Sequence, residues 1–229
     1  MFSLMKLTLA LRELKIHASL FPIGFDSLVN RARNAAVAYF LSNEDHTHLL
    51  FLDADIEFQV EDILKLIVAD EPLIGAGYAQ KWLNLEKIKK VFSSPNIPDN
   101  PMQLCTNHSI HANIDKITDK IEVDYLTTGC MLIRRDVLEK MCIKYPERRY
   151  ANDIDGYFGA NPDKFYNFFS VEINSVTKRY ESEDYCFSRL WKEVEGKIYI
   201  LPDITLTHYG WYGYGINIKQ QVEYEQGKK

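Results

Sequence analysis

The chain has 229 residues, 46% hydrophobic, 13% aromatic and 26% charged, with a formal net charge of −5 at pH 7. That composition supplies a sizeable core and excludes a disordered chain. The acidic balance argues against affinity built on neutralising a polyphosphate backbone, so nucleic acid is not an expected partner.

In chain order, Leu4, Leu7, Leu11 and Leu14 recur at i, i+3, i+7 and i+10, one face of an amphipathic helix, while the alternation of Leu7, Leu9 and Leu11 keeps a strand open. A short strand is expected over 17–23. Asp26 or Ser27 then caps a helix whose apolar face includes Leu28, Ala32, Ala35, Ala36 and Phe40. The run HLLFLDADI reads as a buried strand ending in acids, and Val60, Ile63, Leu64, Ile67 and Val68 share one face of the helix that follows. EPLIGAGYA is another core strand, and residues 81–120 are loop-rich. VDYLTTGCMLIRRDVLEKM reads as strand, small-residue turn, strand and short helix. Residues 144–180 show no period and form a long functional loop or small insertion. Phe187, Leu190, Trp191 and Val194 mark a last helix, before two short strands in KIYILPDITLTHYG.

Four cysteines, Cys105, Cys130, Cys142 and Cys186, form no C-x-x-C pair, which favours reduced thiols over a zinc cage or disulfide framework. No apolar run reaches the roughly 18 to 20 residues that span a bilayer, and the start carries no secretory pattern. The expectation is a cytoplasmic protein without a transmembrane segment, folded as one domain over 1–229 with helices and strands in α/β/α layers.

Asp53 and Asp55 lie where a buried strand emerges, and open α/β sheets bind ligands beyond the carboxyl ends of their strands. Two carboxylates there can hold a divalent ion if the chain has begun to turn, since alternate strand residues otherwise point to opposite faces. The bland alternative is that they merely close the strand. Asp153 and Asp155 repeat the triplet without a delivering strand, and are not expected to bind metal. Glu183 and Asp184 open an amphipathic helix, where the macrodipole alone explains acids, yet such a pair could also serve as a general base. His208 follows two strand-like segments and could complete a metal site with Asp55. His108 and His111, like His46 and His48, fit a solvated surface better than a metal site.

DSLVNRARNAA, HLLFLDADI, YLTTGCMLIRRDV, SEDYCFSRLWKEVEGKIYILPDI and THYG occur in an order that resembles glycosyltransferases of the GT-A fold, in particular a compact family of large DNA viruses, phages and bacteria. The resemblance covers most of the chain outside 81–120 and 144–180. It implies a mixed, mostly parallel sheet, a nucleotide-diphosphate sugar as donor, a glycan or other hydroxyl acceptor, and Mn²⁺ or Mg²⁺ as cofactor. It assigns Asp53 to the ribose or metal and Asp55 and His208 to the metal; if the reaction inverts the anomeric configuration, Asp184, with Glu183 second, is the base, and if it retains it the two acids orient acceptor or donor hydroxyls instead. Arg31, Arg33 and Asn34 would line the nucleotide, although a solvated helix face explains the arginines equally well. Thr128 and Gly129 would form the turn beneath the donor sugar; in 144–180, Tyr150, Tyr157, Phe158 and Tyr166 offer flat faces for an acceptor sugar, or else pack the loop onto the core. The family's first strand, with a Pro-rich end that holds the base, has no counterpart here. A viral source would place the enzyme in host cytoplasm. Two other classes remain open: a sugar nucleotidyltransferase, for which no early Gly-rich triphosphate loop is visible, and a non-catalytic glycan-binding protein.

Overall fold

The computed structural model describes every residue except 1, 24, 25, 111, 113, 115, 228 and 229. His111 of the expected histidine pair therefore lies outside the described residues. The helices are α1 (Phe2–Glu13), α2 (Val29–Ser42), α3 (Val60–Ala69), α4 (Leu85–Phe92), α5 (Arg135–Lys144), α6 (Glu183–Lys192) and α7 (Ile218–Glu225). The strands are β1 (His48–Leu52), β2 (Ile56–Glu57), β3 (Leu73–Gly75), β4 (Ala79–Leu83), β5 (Thr106–His108) and β6 (Ile121–Glu122), followed by β7 (Cys130–Arg134), β8 (Glu172–Ile173), β9 (Tyr180–Glu181), β10 (Tyr199–Ile200), β11 (Thr205–Tyr209) and β12 (Gly213–Asn217).

The main sheet has the order β1-β7-β3-β10-β6. Alternation along β7 explains its central place: Met131 and Ile133 join an apolar cluster with Val37 and Phe40 of α2, Val137 and Met141 of α5, and Phe187 and Leu190 of α6. Cys130 and Leu132 join a second cluster with Leu7 and Leu11 of α1 and Ile63 and Leu66 of α3. Helical layers thus cover both faces of a mixed α/β sheet. Each fully buried side chain of this size contributes roughly 1.5–3 kcal/mol.

The sheet is not mostly parallel. Among these pairings only β3 with β10 is parallel, whereas β1–β7, β7–β3 and β10–β6 are antiparallel. The reason is the place of β7. β1 and β3, joined through α3, run the same way, but β7 inserts between them and opposes both.

β1 stands at the sheet edge and is half-buried throughout, rather than the fully buried strand expected. Residues 17–23 form no strand, because no strand pairs with them; side chains hold the segment instead, with Phe21 stacked on Tyr39 at 4.2 Å and Ser19 bonded to His46 at 3.3 Å. Asp26 does not cap α2. Its carboxylate accepts from the Leu28 N–H at 2.8 Å and from Arg31, leaving Leu28 as an N-cap without a side-chain bond. The buried stripe of α3 runs through Leu66, while Val68 is exposed. Within 81–120 the chain forms α4, whose Asn84 cap accepts from Glu86 and Lys87 N–H groups. The carboxyl-terminal hairpin partner β12 and helix α7 were not anticipated from the pattern.

Candidate functional site

A smaller sheet of order β12-β11-β2 stands beside the carboxyl end of β1. β1 ends at Leu52, the chain turns through Asp53 and Asp55, and β2 then pairs with β11, setting His208 opposite Ile56. That turn lets both carboxylates serve one region. The backbone locks it: Asp53 N–H donates to the Gly129 carbonyl at 3.2 Å, and Tyr209 N–H donates to the Asp55 carbonyl at 2.8 Å.

The His208 ring has a defined orientation. Its Nδ1 lies 2.8 Å from the Ala79 carbonyl, which can only accept, so Nδ1 carries a proton and the ring turns Nε2 toward Asp55. Nε2 stands 3.5 Å from Asp55 Oδ1. An imidazole nitrogen and a carboxylate oxygen at that separation can share a proton or a cation. Lys81 supplies a positive charge nearby, its Nζ 2.5 Å from Asp55 Oδ2. Burial works against ionising Asp55, but the Lys81 hydrogen bond and His208 hold its carboxyl below the ordinary value of 3.8. Tyr78 packs edge-on against the His208 ring at 5.0 Å.

Arg33 joins the rest of the site. Its guanidinium lies 3.5 Å from Asp53 and makes a close pair with Glu183 at the start of α6. Asp184 is placed differently. Its Oδ1 accepts from the Ser182 hydroxyl at 2.5 Å and from the Tyr185 N–H at 2.9 Å, with no arginine on it among the described residues. Gly129 is required sterically, since a Cβ there would fall 2.4 Å from the Tyr78 ring. Burial pushes the Tyr78 hydroxyl up to about 12, with Asp53 and Asp184 adding to the shift. Tyr78 is therefore a neutral hydroxyl beside both acids. Thr128 is buried in the same turn.

Of the residues singled out in the sequence, the structure thus gathers Asp53, Asp55, His208, Arg33, Glu183, Asp184 and Gly129 at one sheet end. Arg31 instead forms a clamp with Asp26, which also accepts from Tyr157, and the Arg31 hydrogen bond holds the Asp26 carboxyl well below its usual range. Asn34 is buried and saturated, donating to Asn167 and Phe169 and accepting from Phe169 N–H at 2.9 Å. It ties α2 to 167–169. Asp153 and Asp155 sit in an exposed loop. Tyr150, Tyr157 and Phe165 pack together on Ala35 and Ala38 of α2, and Phe158 is exposed. His46 bonds Ser19, and burial pushes the His48 ring down. Tyr78 and Lys81 were missed in the sequence, because neither belongs to an acidic or histidine motif.

Glu172, Glu181 and Cys186 also approach within 4.8 Å of one another. They do not make a metal centre. Arg189 bonds Glu181 at 2.7 Å and pairs closely with Glu172, Arg148 bonds Glu172 at 3.1 Å, and burial pushes the Cys186 thiol up to about 12. A protonated thiol and two arginine-neutralised carboxylates offer no ligand set.

No family model matches the chain, and no curated protein matches it. Among solved structures, the crystal structure of A197 from STIV is similar at 17% identity, covering 87% of this chain and 76% of that chain with a TM-score of 0.46. Among the described residues no helix is long and apolar enough to cross a membrane.

Proposed function

We propose that the chain is a GT-A-type, metal-dependent glycosyltransferase that moves a sugar from a nucleotide-diphosphate donor to a hydroxyl acceptor. The observation that carries this reading is the Asp55–His208 pair, in which an imidazole nitrogen oriented by the Ala79 carbonyl faces a carboxylate 3.5 Å away. Carboxylate oxygen and neutral imidazole suit Mn²⁺, and with phosphate oxygens they suit Mg²⁺. Asp55 and His208 would hold the ion, and Asp53 would stand beside it. A bound ion would supply charge neutralisation for the departing diphosphate.

The chain's own residues do the rest. Arg33 fixes Asp53 and Glu183 in one place, and its guanidinium adds positive charge on the donor side. Glu183 is engaged by Arg33 and is suited to orienting hydroxyls. Asp184 accepts only from a hydroxyl and a backbone N–H in the described structure, and it is the better group to take the acceptor proton. Lys81 and Tyr78, both polar and beside Asp55 or Asp53, can hydrogen-bond donor oxygens.

Calorimetry of UDP and GDP binding with Mn²⁺, and again with chelator, tests the reading directly. The expected result is binding only with metal, followed by release of nucleoside diphosphate from one donor of a nucleotide-sugar panel. Pyrophosphate as the product would reassign the chain to nucleotidyl transfer. Equal affinity with and without chelator would remove the metal site.

A further inference from the structure

Helix α1 carries two apolar stripes, and only one of them is packed. Leu7 and Leu11 are buried and join the cluster with Ile63 and Leu66 of α3. Phe2, Met5 and Leu9 recur at i, i+3 and i+7 on the opposite side, about 170° away at 3.6 residues per turn. They are 80%, 58% and 60% exposed. A helix face that meets only water carries polar residues, so an outward apolar stripe marks a contact surface. The stripe belongs to a helix that is fixed at both ends. Ser3 accepts from the Phe58 N–H at 3.4 Å, which ties the first turn to the chain after β2. At the other end Lys15 adopts φ 59, its N–H donates to the Arg12 carbonyl, and the Ile16 N–H donates to the Leu11 carbonyl at 2.8 Å, closing the last turn.

The flanks of the stripe are basic. Lys6 and Arg12 stand on either side of it and Lys15 lies just past the helix, all three exposed, and among the described residues none of them has an acidic partner. Other helices pair such groups: Lys65 of α3 with Asp62, and Lys140 of α5 with Asp136. Glu13 is the only acid between residues 2 and 15, so this stretch is net positive within a chain of net charge −5. Exposed apolar side chains between uncommitted cations complement an anionic bilayer surface, whose acyl boundary receives the first and whose phosphates receive the second. A second copy of the chain fits less well, because a self-complementary interface would bring the cations of both copies together. The helix has 12 residues, too few to cross a bilayer, so it would lie in the plane of the interface.

We propose that the outer face of α1 docks the chain on an anionic lipid surface, with Phe2, Met5 and Leu9 in the acyl boundary and Lys6, Arg12 and Lys15 on lipid phosphates. This goes beyond the transferase reading and does not depend on it, because none of these residues belongs to the acidic site.

The test is flotation of the full chain with vesicles of phosphatidylcholine alone and of phosphatidylcholine with about one-third phosphatidylglycerol. The chain should float with the anionic vesicles, bind the neutral ones about tenfold more weakly, and be released from both in about 0.5 M salt. Met5→Ser with Leu9→Ser, and separately Lys6→Glu with Arg12→Glu, should each weaken anionic binding about tenfold or more at an unchanged melting temperature, since all four side chains point outward. Val176→Ser, which removes an exposed apolar side chain between β8 and β9, should float as the parent does, and so should Asp55→Ala. Flotation with neither vesicle, equal flotation with both, or anionic binding retained by both double variants overturns the proposal. A dimer seen by sedimentation equilibrium in place of flotation, and dissociated by Met5→Ser with Leu9→Ser, assigns the face to a second copy and overturns it as well. Loss of metal-dependent nucleotide binding in Asp55→Ala bears only on the acidic site.

Discussion

Two acidic clusters in this chain, both with basic partners, differ in how far they are closed from solvent. In the network of Glu172, Glu181, Arg148 and Arg189, the carboxylates are held by guanidinium groups, and the Glu181 side chain is 1% exposed. At the end of β1, Asp53 and Asp55 are each 42% exposed, and an imidazole faces one of them. The first cluster has spent its charges on itself, as burial demands. The second, although Arg33 and Lys81 stand beside its acids, remains open to solvent and so to an incoming ligand. Proximity of acids therefore says little by itself, and exposure separates the two: Glu181 is closed from solvent among arginines, whereas Asp53 and Asp55 stay open beside Arg33 and Lys81.

The comparison can be broken at either end. The largest effect is expected at Asp184→Asn, which retains size and hydrogen bonding but cannot take a proton: transfer should fall by about 10²- to 10⁴-fold while nucleotide binding stays within about twofold. Rate and calorimetry on the same preparation decide it, and near-parental transfer would show that Asp184 is no base. Next comes Arg189→Met in the braced cluster, which leaves Glu181 buried without its partner and should cost about 3–5 kcal/mol in urea unfolding. A loss below about 1 kcal/mol would mean that the brace is not a stabilising unit.

Asp55→Ala should weaken metal-dependent nucleotide binding about 100-fold with little change in melting temperature, the reverse of Arg189→Met. A variant that binds normally would return Asp55 to the role of strand terminator. Acidification sharpens the contrast further. Burial opposes the charge of Glu172, but Cys186 and the arginines hold its carboxyl below the ordinary 4.5, so its contribution is complete above that value and is lost as pH falls through the lower folded value. Stability measured from pH 6 to pH 3 should decline, with a shallower slope in Arg189→Met. The smallest effect belongs to the double change Asp153→Ala and Asp155→Ala, expected within about 0.5 kcal/mol of the parent and with metal-dependent binding intact. Loss of metal binding with unchanged circular dichroism would show that the exposed triplet was the functional one.

Much of this was legible in the residues. Local periodicity placed α1, α2, α3 and α6, because a helix that buries one face must repeat near 3.6 residues. The strand–acid–helix order around Asp53 and Asp55 located the end of β1 for the same local reason. The segment 17–23 looked like a strand but is none, since a strand requires a partner and composition does not supply one. Val68 and Leu66 exchanged roles on α3 because the direction of the core comes from its neighbours.

The sequence by itself determined the residue types at the end of β1 and the local periodicity of the helices around them. Only the tertiary structure decided which of them meet. Insertion of β7 between β1 and β3 made the sheet largely antiparallel. Pairing of β2 with β11 brought His208 to Asp55 from about 150 residues away, and the Ala79 carbonyl oriented its ring. The packing of α2 turned Arg33 toward Asp53 and Glu183 while Arg31 closed on Asp26. Two positions apart on a helix point to different sides, and only the folded surroundings determine which side is the site.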